Sequence, residues 1–193
     1  MEVGRLQKML FVFGGLPGTG KTTISRELAK RLSATLLRID VIEQAMLASL
    51  SVEDIGVAGY SVANALAEAN LSNGQTVVVD CVNPIEISRA AWKAVAARTE
   101  SPLIQIEVVC TDRTEHRRRV ETRKPDIPGH RLPTWETVVN YTYETWKADL
   151  VLDSFKLSTD EAVAEVLNKA RHRFRKAGKW PRTFHPSNGW PSG

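Results

Sequence analysis

One segment of the sequence has the residue types and spacing of a phosphate-binding loop. Residues 15–22 read Gly-Leu-Pro-Gly-Thr-Gly-Lys-Thr, which fits the pattern G-x-x-x-x-G-K-[ST] at every fixed position. Glycines in such a loop let backbone N–H groups turn inward, and the following helix adds its free N-terminal donors. A glycine-rich turn that merely joined a strand to a helix would not require the pair Lys21-Thr22. The segment therefore predicts a binding site for nucleotide phosphates.

We expect the loop to bind ATP together with Mg²⁺. Lys21 would reach the β- and γ-phosphates, and Thr22 would coordinate the metal ion. The expected nucleotide-binding residues are Gly15, Pro17, Gly18, Thr19, Gly20, Lys21, Thr22 and Thr23. A dinucleotide-binding fingerprint is excluded, because the third residue after Gly20 is Thr23 rather than glycine.

Three aspartates lie at the ends of predicted strands; Asp40 and Asp80 are candidate site residues, and Asp153 is expected to be structural. Asp40 comes after the apolar run 35–39, and Asp80 comes after three consecutive valines. Ligands of open parallel sheets bind beyond the carboxyl ends of the strands, so both carboxylates should lie near the phosphate loop. Asp80 fits a carboxylate that holds Mg²⁺, or a turn residue before Pro84. Asp40 could act on an acceptor group or cap the helix that follows it.

An arginine-rich helix is predicted from Asp112 to Arg123. Phosphoryl transfer needs positive charge on the transferring group, but charged helices are also commonly solvated and held by ion pairs such as Arg117 with Glu121. The arginines are Arg113, Arg117, Arg118, Arg119 and Arg123. We expect His116, on the same helix, to be a solvated side chain.

Residues 124–133, called here the proline-rich loop, contain three prolines and one glycine. This composition excludes regular structure, and we expect the segment to resist packing and to fold over bound nucleotide as a lid. Arg131 would then be a further nucleotide ligand. His130 is expected to be solvated.

Short apolar runs alternate with segments of helical periodicity along most of the chain. The predicted strands are residues 9–13, 35–39, 76–79, 103–110 and 149–153, and the predicted helices are residues 21–32, 41–50, 60–71, a helix opened by Pro84, and residues 112–123, 134–146 and 159–176. This order predicts an α/β fold with a parallel sheet covered on both faces. On the helix at 60–71 we expect Val62, Ala65, Leu66 and Ala69 to face the core.

Length and composition predict one globular domain over residues 1–177 and a basic tail over residues 178–193. The chain has 193 residues, of which 42% are hydrophobic and 25% charged, and its net charge is +4. No apolar run is long enough for a membrane helix, and the two cysteines fit buried, reduced thiols of a cytoplasmic protein. The stretch from Lys169 to Arg182, followed by Trp190, could contact nucleic acid or could be a solvated helix end with a disordered tail.

The phosphate loop, Asp40, the run Val77-Val-Val-Asp-Cys-Val-Asn83 and the arginine-rich helix before a proline-rich loop together resemble the small P-loop kinases. The nearest group is that of zeta-toxin or AAA-type predicted kinases, which is similar to gluconate kinase, chloramphenicol phosphotransferase, adenylylsulfate kinase and the kinase part of polynucleotide kinase. The likeness covers about residues 9–176. It implies a three-layer P-loop NTPase fold, with a five-stranded parallel sheet of order 2-3-1-4-5 and a mobile lid.

The resemblance also implies a reaction, the transfer of the ATP γ-phosphate to a hydroxyl of a small molecule. Asp40 resembles the carboxylate that orients and deprotonates the acceptor hydroxyl, and Arg119 and Arg123 precede the lid. The implied catalytic residues are Lys21, Asp40, Arg119 and Arg123, and the implied metal ligands are Thr22 and Asp80.

Two other functions remain open from the sequence. One is a nucleic-acid 5′-hydroxyl kinase or RNA-binding ATPase that would use the basic tail. The other is a non-catalytic nucleotide switch, which would leave Asp40 and the lid arginines without a task. The acceptor pocket is expected within residues 41–74 and just after Asp80. An acidic acceptor would need Arg38 or Arg89, whereas a sugar or aminoglycoside would need carboxylates.

Overall fold

Five strands and seven helices lie along residues 8–52 and 54–176, the part of the chain that the computed structural model describes. The strands are β1 (Leu10–Gly14), β2 (Thr35–Arg38), β3 (Val77–Asp80), β4 (Leu103–Val109) and β5 (Leu150–Asp153). The helices are α1 (Lys21–Leu32), α2 (Ile39–Leu50), α3 (Ala58–Ser72), α4 (Glu86–Arg98), α5 (Arg113–Thr122), α6 (Trp135–Val139) and α7 (Thr159–Lys176).

The strands form one parallel sheet in the order β2-β3-β1-β4-β5, which confirms the predicted topology. Asp80, the last residue of β3, lies opposite Phe13 of β1 on one side and opposite Arg38 of β2 on the other. The carboxyl ends of these three strands are therefore aligned. This register brings Asp80, Arg38 and the start of the phosphate loop to one edge of the sheet.

Helices cover both faces of the sheet, because successive strand side chains point to opposite sides. Phe11 and Phe13 of β1 pack with apolar residues of α1 and α7. Leu10 and Val12 of the same strand pack on the other face with α3 and α4, where Trp92 is fully buried. The three-layer arrangement fixes the sheet edge at which the phosphate loop lies.

Helix α3 buries a different face from the one expected. Val62 and Leu66 are 38% and 41% exposed, and Ala65 and Ala69 also face solvent. The buried residues are instead Gly59, Ala63, Ala67 and Leu71. These recur every four residues, and the small Gly59, Ala63 and Ala67 let the helix approach its neighbours closely. The larger apolar residues were therefore a misleading guide to the buried face.

The helix expected over residues 134–146 is much shorter, because α6 ends at Val139. Beyond it, the backbone N–H of Glu144 donates to the carbonyl of Pro84 at 2.9 Å, and the carbonyl of Glu144 accepts from Nη2 of Arg89 at 2.7 Å. Tyr143 and Trp146 lie against the same guanidinium, whose Cζ is 5.5 and 4.7 Å from their ring centroids. Contacts with the segment after β3 thus replace the intrahelical hydrogen bonds.

Among the residues that the structure describes, no helix combines the length and the apolar character needed to cross a bilayer. Cys81 is buried and Cys110 is partly exposed. The tail 178–193, with the nucleic-acid contacts that were considered for it, lies outside the described residues.

Candidate functional site

The phosphate loop leaves β1 at Gly14 and enters α1 at Lys21. Gly15 has φ 139°, and a Cβ on it would lie only 2.3 Å from the carbonyl oxygen of Val108 on β4. A Cβ on Gly18, at φ 83°, would lie 2.5 Å from Cγ2 of Val120 on α5. Both positions therefore require glycine, because of backbone conformation and of close packing.

The amino end of α1 is free to bind an anion. Gly20 is its N-cap residue and has no side chain that could cap the helix. The Thr19 hydroxyl instead donates to the carbonyl of Leu16 at 2.8 Å and closes the loop upon itself. Uncapped N–H groups and the positive end of the helix dipole favour a phosphate at this position.

Lys21, Thr22 and Asp80 meet beneath the loop. Lys21 is 7% exposed and Asp80 is 4% exposed. Burial raises the pKa of Asp80, while the Lys21 charge and a hydrogen bond from Thr22 act in the opposite direction. Asp80 is not a cap of α4, whose N-cap residue is Ile85.

The residues Thr22 and Asp80 fit a Mg²⁺ site that nucleotide phosphates would complete. Oδ1 of Asp80 is buried without a hydrogen-bond partner in the described part of the chain, and a hydroxyl lies beside this carboxylate. Mg²⁺ prefers oxygen ligands and is commonly held by one or two protein groups plus phosphate oxygens. Within residues 8–52 and 54–176, no group of three or more His, Cys, Asp or Glu side chains could hold a metal ion without such added ligands.

Arg119 and Arg123 line a cavity of about 260 Å³ above the phosphate loop, called here the phosphate cavity. The cavity is bounded by Gly18, Gly20, Lys21, Thr22, Thr23, Arg26, Arg119, Arg123 and Asp126. Arg119 is held in place by Glu115, at 2.7 Å from its Nε, and by the hydroxyl of Ser154, at 2.7 Å from its Nη1. The phosphate loop thus faces several cations of different elements.

Other arginines of α5 form surface ion pairs, which is the structural role that the sequence also allowed for this helix. Arg117 pairs with Glu121 and Arg118 pairs with Glu115, and both arginines are exposed. The two roles considered for the arginine-rich helix therefore divide between its faces.

Asp126 of the proline-rich loop joins three arginines of separate elements. Its carboxylate accepts from Arg38 at 2.8 Å, from Arg26 at 3.1 Å and from Arg123 at 3.4 Å. Hydrogen bonds from Arg38, together with the charges of the other arginines, hold the pKa of Asp126 well below its usual range. The expectation that prolines keep this loop from packing is wrong, since Ile127 is also buried.

A second cavity, of about 580 Å³, lies on the α2 side of the same loop. It is lined by Asp40, Glu43, Gln44, Leu47, Val52, Gly129, His130 and Arg131. Asp40 lies in the first turn of α2, whose N-cap residue is Arg38, so Asp40 does not cap that helix. The structure places Arg131 in this second cavity, apart from the residues that line the phosphate cavity.

The two arginines considered for an acidic acceptor are engaged elsewhere. Arg89 is 1% exposed and donates to the carbonyls of Asn83, Pro84 and Glu144. Arg38 is paired with Asp126, and its Nε lies 3.5 Å from Asp80. Carboxylates therefore remain as the main polar groups of the second cavity within the expected segment.

His116 is buried, in contrast to the solvated position expected from the sequence. Its Nε2 lies 2.8 Å from the carbonyl oxygen of Pro17, and its ring packs edge-on against Trp135. It thereby connects α5 and α6 to the phosphate loop. His130 is half-buried, and its Nδ1 has no hydrogen-bond partner among described residues.

Comparison with known proteins agrees with this geometry. A family model described as an AAA domain matches residues 10–138. No curated protein matches the sequence. Among solved structures, the chain is similar to a gluconokinase from Sinorhizobium meliloti 1021, with 18% identity, a TM-score of 0.62, and coverage of 92% of this chain and 99% of the other.

Two further similar structures contain nucleotides or their analogues. The Mycobacterium tuberculosis APS kinase CysC in complex with AMPPNP and APS is 18% identical, with a TM-score of 0.60 and coverage of 86% of this chain and 98% of the other. Chaetomium thermophilum Kti12 in complex with ADP-AlF3 is 23% identical, with a TM-score of 0.54 and coverage of 83% and 98%. These similarities confirm the P-loop kinase fold that the sequence motifs implied.

Proposed function

This chain belongs to the AAA domain family, and we propose that it is an ATP-dependent kinase that acts on a hydroxyl group. The proposal rests on the phosphate loop and on the second cavity, called from here on the acceptor-side cavity. The observation that carries the proposal is that both cavities share the proline-rich loop as a wall. Asp126 lines the phosphate cavity, and Gly129, His130 and Arg131 line the second one. A γ-phosphate in the first cavity would thus lie near an acceptor in the second.

On the phosphate side, Lys21 binds the β- and γ-phosphates, and the loop glycines donate backbone N–H groups. Thr22 and Asp80 hold Mg²⁺, which supplies neutralisation of phosphate charge when it is bound. Arg119 and Arg123 stabilise the negative charge on the transferring group. Nucleotide bound in the APS kinase and Kti12 structures supports the choice of a nucleotide as the phosphate donor.

On the acceptor side, Asp40 contacts the hydroxyl that receives the phosphate and holds it in line for attack. Arg131 lies in the same loop as Asp126, and it closes the acceptor-side cavity instead of contacting the nucleotide. This assignment replaces the nucleotide-binding role that the sequence gave to Arg131, and it follows from the residues around it. Closure of the loop would exclude water from both cavities and limit hydrolysis of ATP.

The acceptor that we propose is a small hydroxyl-bearing metabolite. A cavity of about 580 Å³ is within the usual size of small-molecule sites, and its lining carries two carboxylates and one arginine. A nucleic-acid acceptor would need a basic surface, and among the described residues that line this cavity only Arg131 and His130 could supply one.

A phosphoryl-transfer screen tests the proposal. The full chain is incubated with γ-labelled ATP and Mg²⁺ against pooled sugars, aminoglycosides and nucleosides, and separately against 5′-hydroxyl oligonucleotides. We expect label in a small molecule, and we expect the same from a chain truncated after Arg175. Salt-sensitive transfer to oligonucleotides that is lost on truncation would establish the nucleic-acid alternative instead.

A further inference from the structure

Helix α2 presents two carboxylates to the acceptor-side cavity. Asp40 and Glu43 both line it and are three residues apart, a spacing that places side chains on the same face of a helix. No hydrogen bond or ion pair joins either of them to another side chain within residues 8–52 and 54–176. Two unpaired carboxylates at one site allow their roles to differ.

Glu43 is held in place by a close contact with α3. A Cβ added to Gly59 would lie 2.3 Å from Cγ of Glu43 and 2.8 Å from its Oε1. Gly59 is buried, so the absence of a side chain there is what makes room for Glu43. The side chain of Glu43 thus packs directly against the backbone of α3, and any larger residue at position 59 would displace it.

We propose that Glu43 is the group that accepts the proton of the acceptor hydroxyl, while Asp40 orients that hydroxyl; this inference rests on the proposed kinase activity. The acceptor oxygen forms a bond to the γ-phosphorus as the bond between that phosphorus and the β–γ bridging oxygen breaks. ADP leaves with the electron pair of the broken bond. The hydroxyl proton passes to the carboxylate of Glu43, which later releases it to water.

The surroundings of Glu43 suit a base that works near neutral pH. Burial, with the nearby charge of Asp40, raises its pKa to about 7. The other titratable or charged groups that face it are Tyr60 of α3, Tyr141 beyond α6, and His130 and Arg131 of the proline-rich loop. A general base is most effective when its pKa is close to the working pH.

The pH dependence of phosphoryl transfer tests this assignment. The rate is measured from pH 5.5 to 9 with saturating MgATP and the pool of sugars, aminoglycosides and nucleosides as acceptors. For the wild-type chain we expect the rate to rise as pH increases through about 7, because the base must be ionised. Glu43→Gln should abolish this rise and lower the rate about 100-fold or more. Glu43→Asp should keep a rise in rate, at a lower level.

Two controls separate proton acceptance from a structural role. Glu86→Gln removes an exposed carboxylate on α4 and should leave both rate and profile unchanged. Gly59→Ala displaces Glu43 without altering its charge, and should lower the rate while ATP affinity stays at the wild-type value. A rise through pH 7 that persists in Glu43→Gln overturns the inference, whereas absence of transfer by the wild-type chain overturns the proposed kinase activity itself.

A titration that needs no acceptor provides an independent measurement. In the full chain labelled with ¹³C at glutamate side-chain carboxyls, the signal missing from Glu43→Gln identifies Glu43. We expect its midpoint near pH 7 and a lower midpoint in Asp40→Asn, where the neighbouring charge is absent. A midpoint near 4.5 in the wild-type chain would overturn the inference.

Discussion

Nη1 of Arg38 lies 2.8 Å from Oδ2 of Asp126, and this ion pair joins the end of β2 to the proline-rich loop. The same guanidinium reaches the buried Asp80 at 3.5 Å through its Nε. One arginine therefore links the proposed metal carboxylate to the proposed lid. The carboxylate of Asp126 also occupies arginines that would otherwise be available to a phosphate group.

Asp126 should therefore control the order of the loop. In Asp126→Asn the arginines lose their shared anion, and we expect faster hydrogen exchange of residues 124–133 without nucleotide. ATP affinity should be equal to or higher than that of the wild-type chain, because Arg26 and Arg123 become available to phosphate. Hydrogen exchange without nucleotide measures the first effect, and calorimetry with MgATP measures the second. The control is Asp160→Asn on α7; an unchanged exchange rate in Asp126→Asn would contradict this role.

Removal of the phosphate-loop lysine should weaken nucleotide binding. Lys21 is buried and its charge acts on Asp80, so Lys21→Ala removes a desolvated positive charge as well as the proposed contact to the phosphates. We expect ATP affinity to fall about 30-fold or more, which corresponds to about 2 kcal/mol. Calorimetry with Lys30→Ala, an exposed position on the same helix, provides the control. Equal ATP affinity in both variants would contradict the assignment.

Asp40 and Asp80 should give different defects. Asp40→Asn should abolish phosphoryl transfer while leaving MgATP affinity nearly intact, since Asp40 lines the acceptor-side cavity. Asp80→Asn should have its largest effect at low Mg²⁺ concentration, because Thr22 alone would then hold the ion on the protein side. Transfer rates measured across a Mg²⁺ titration distinguish the two. Reversed phenotypes would show that the roles are misassigned.

Glu43 should make the protein less stable as the pH rises. Its pKa of about 7 in the folded chain lies above the ordinary value of 4.5, so the folded state binds the proton more tightly. The contribution of Glu43 to stability is therefore complete below pH 4.5 and is lost as pH increases through 7. In thermal unfolding, the melting temperature of Glu43→Gln should increase relative to that of the wild-type chain between pH 5 and 8. The variant Glu86→Gln should follow the wild-type trend, and identical trends in all three proteins would contradict the prediction.

The sequence predicted the fold well because its signals are local. Strand runs such as the three valines of β3, and the glycine and lysine spacing of the phosphate loop, depend on residues close together in the chain. The face of α3 was predicted wrongly because Ala63 and Ala67 carry a weaker hydrophobic signal than Val62 and Leu66. Close packing, rather than side-chain hydrophobicity, decided which face is buried.

Several site residues could not be predicted because their partners are distant in sequence. Asp126 lies 100 residues from Arg26 and 88 from Arg38, and its importance arises only when the loop folds onto α1 and β2. His116 contacts Pro17 across 99 residues. Glu43 lies within the segment 41–74 that was expected to form the acceptor pocket, but the room that Gly59 leaves for it becomes evident only in the folded structure.

In the proposed reaction the γ-phosphate of ATP passes to a hydroxyl group rather than to water. ³¹P NMR of the full chain with MgATP, recorded with and without the pool of sugars, aminoglycosides and nucleosides, measures where that phosphate goes. We expect a phosphate monoester signal that grows together with ADP only when the pool is present and is absent in Asp40→Asn. Inorganic phosphate as the sole product, formed at the same rate with and without the pool, would contradict it.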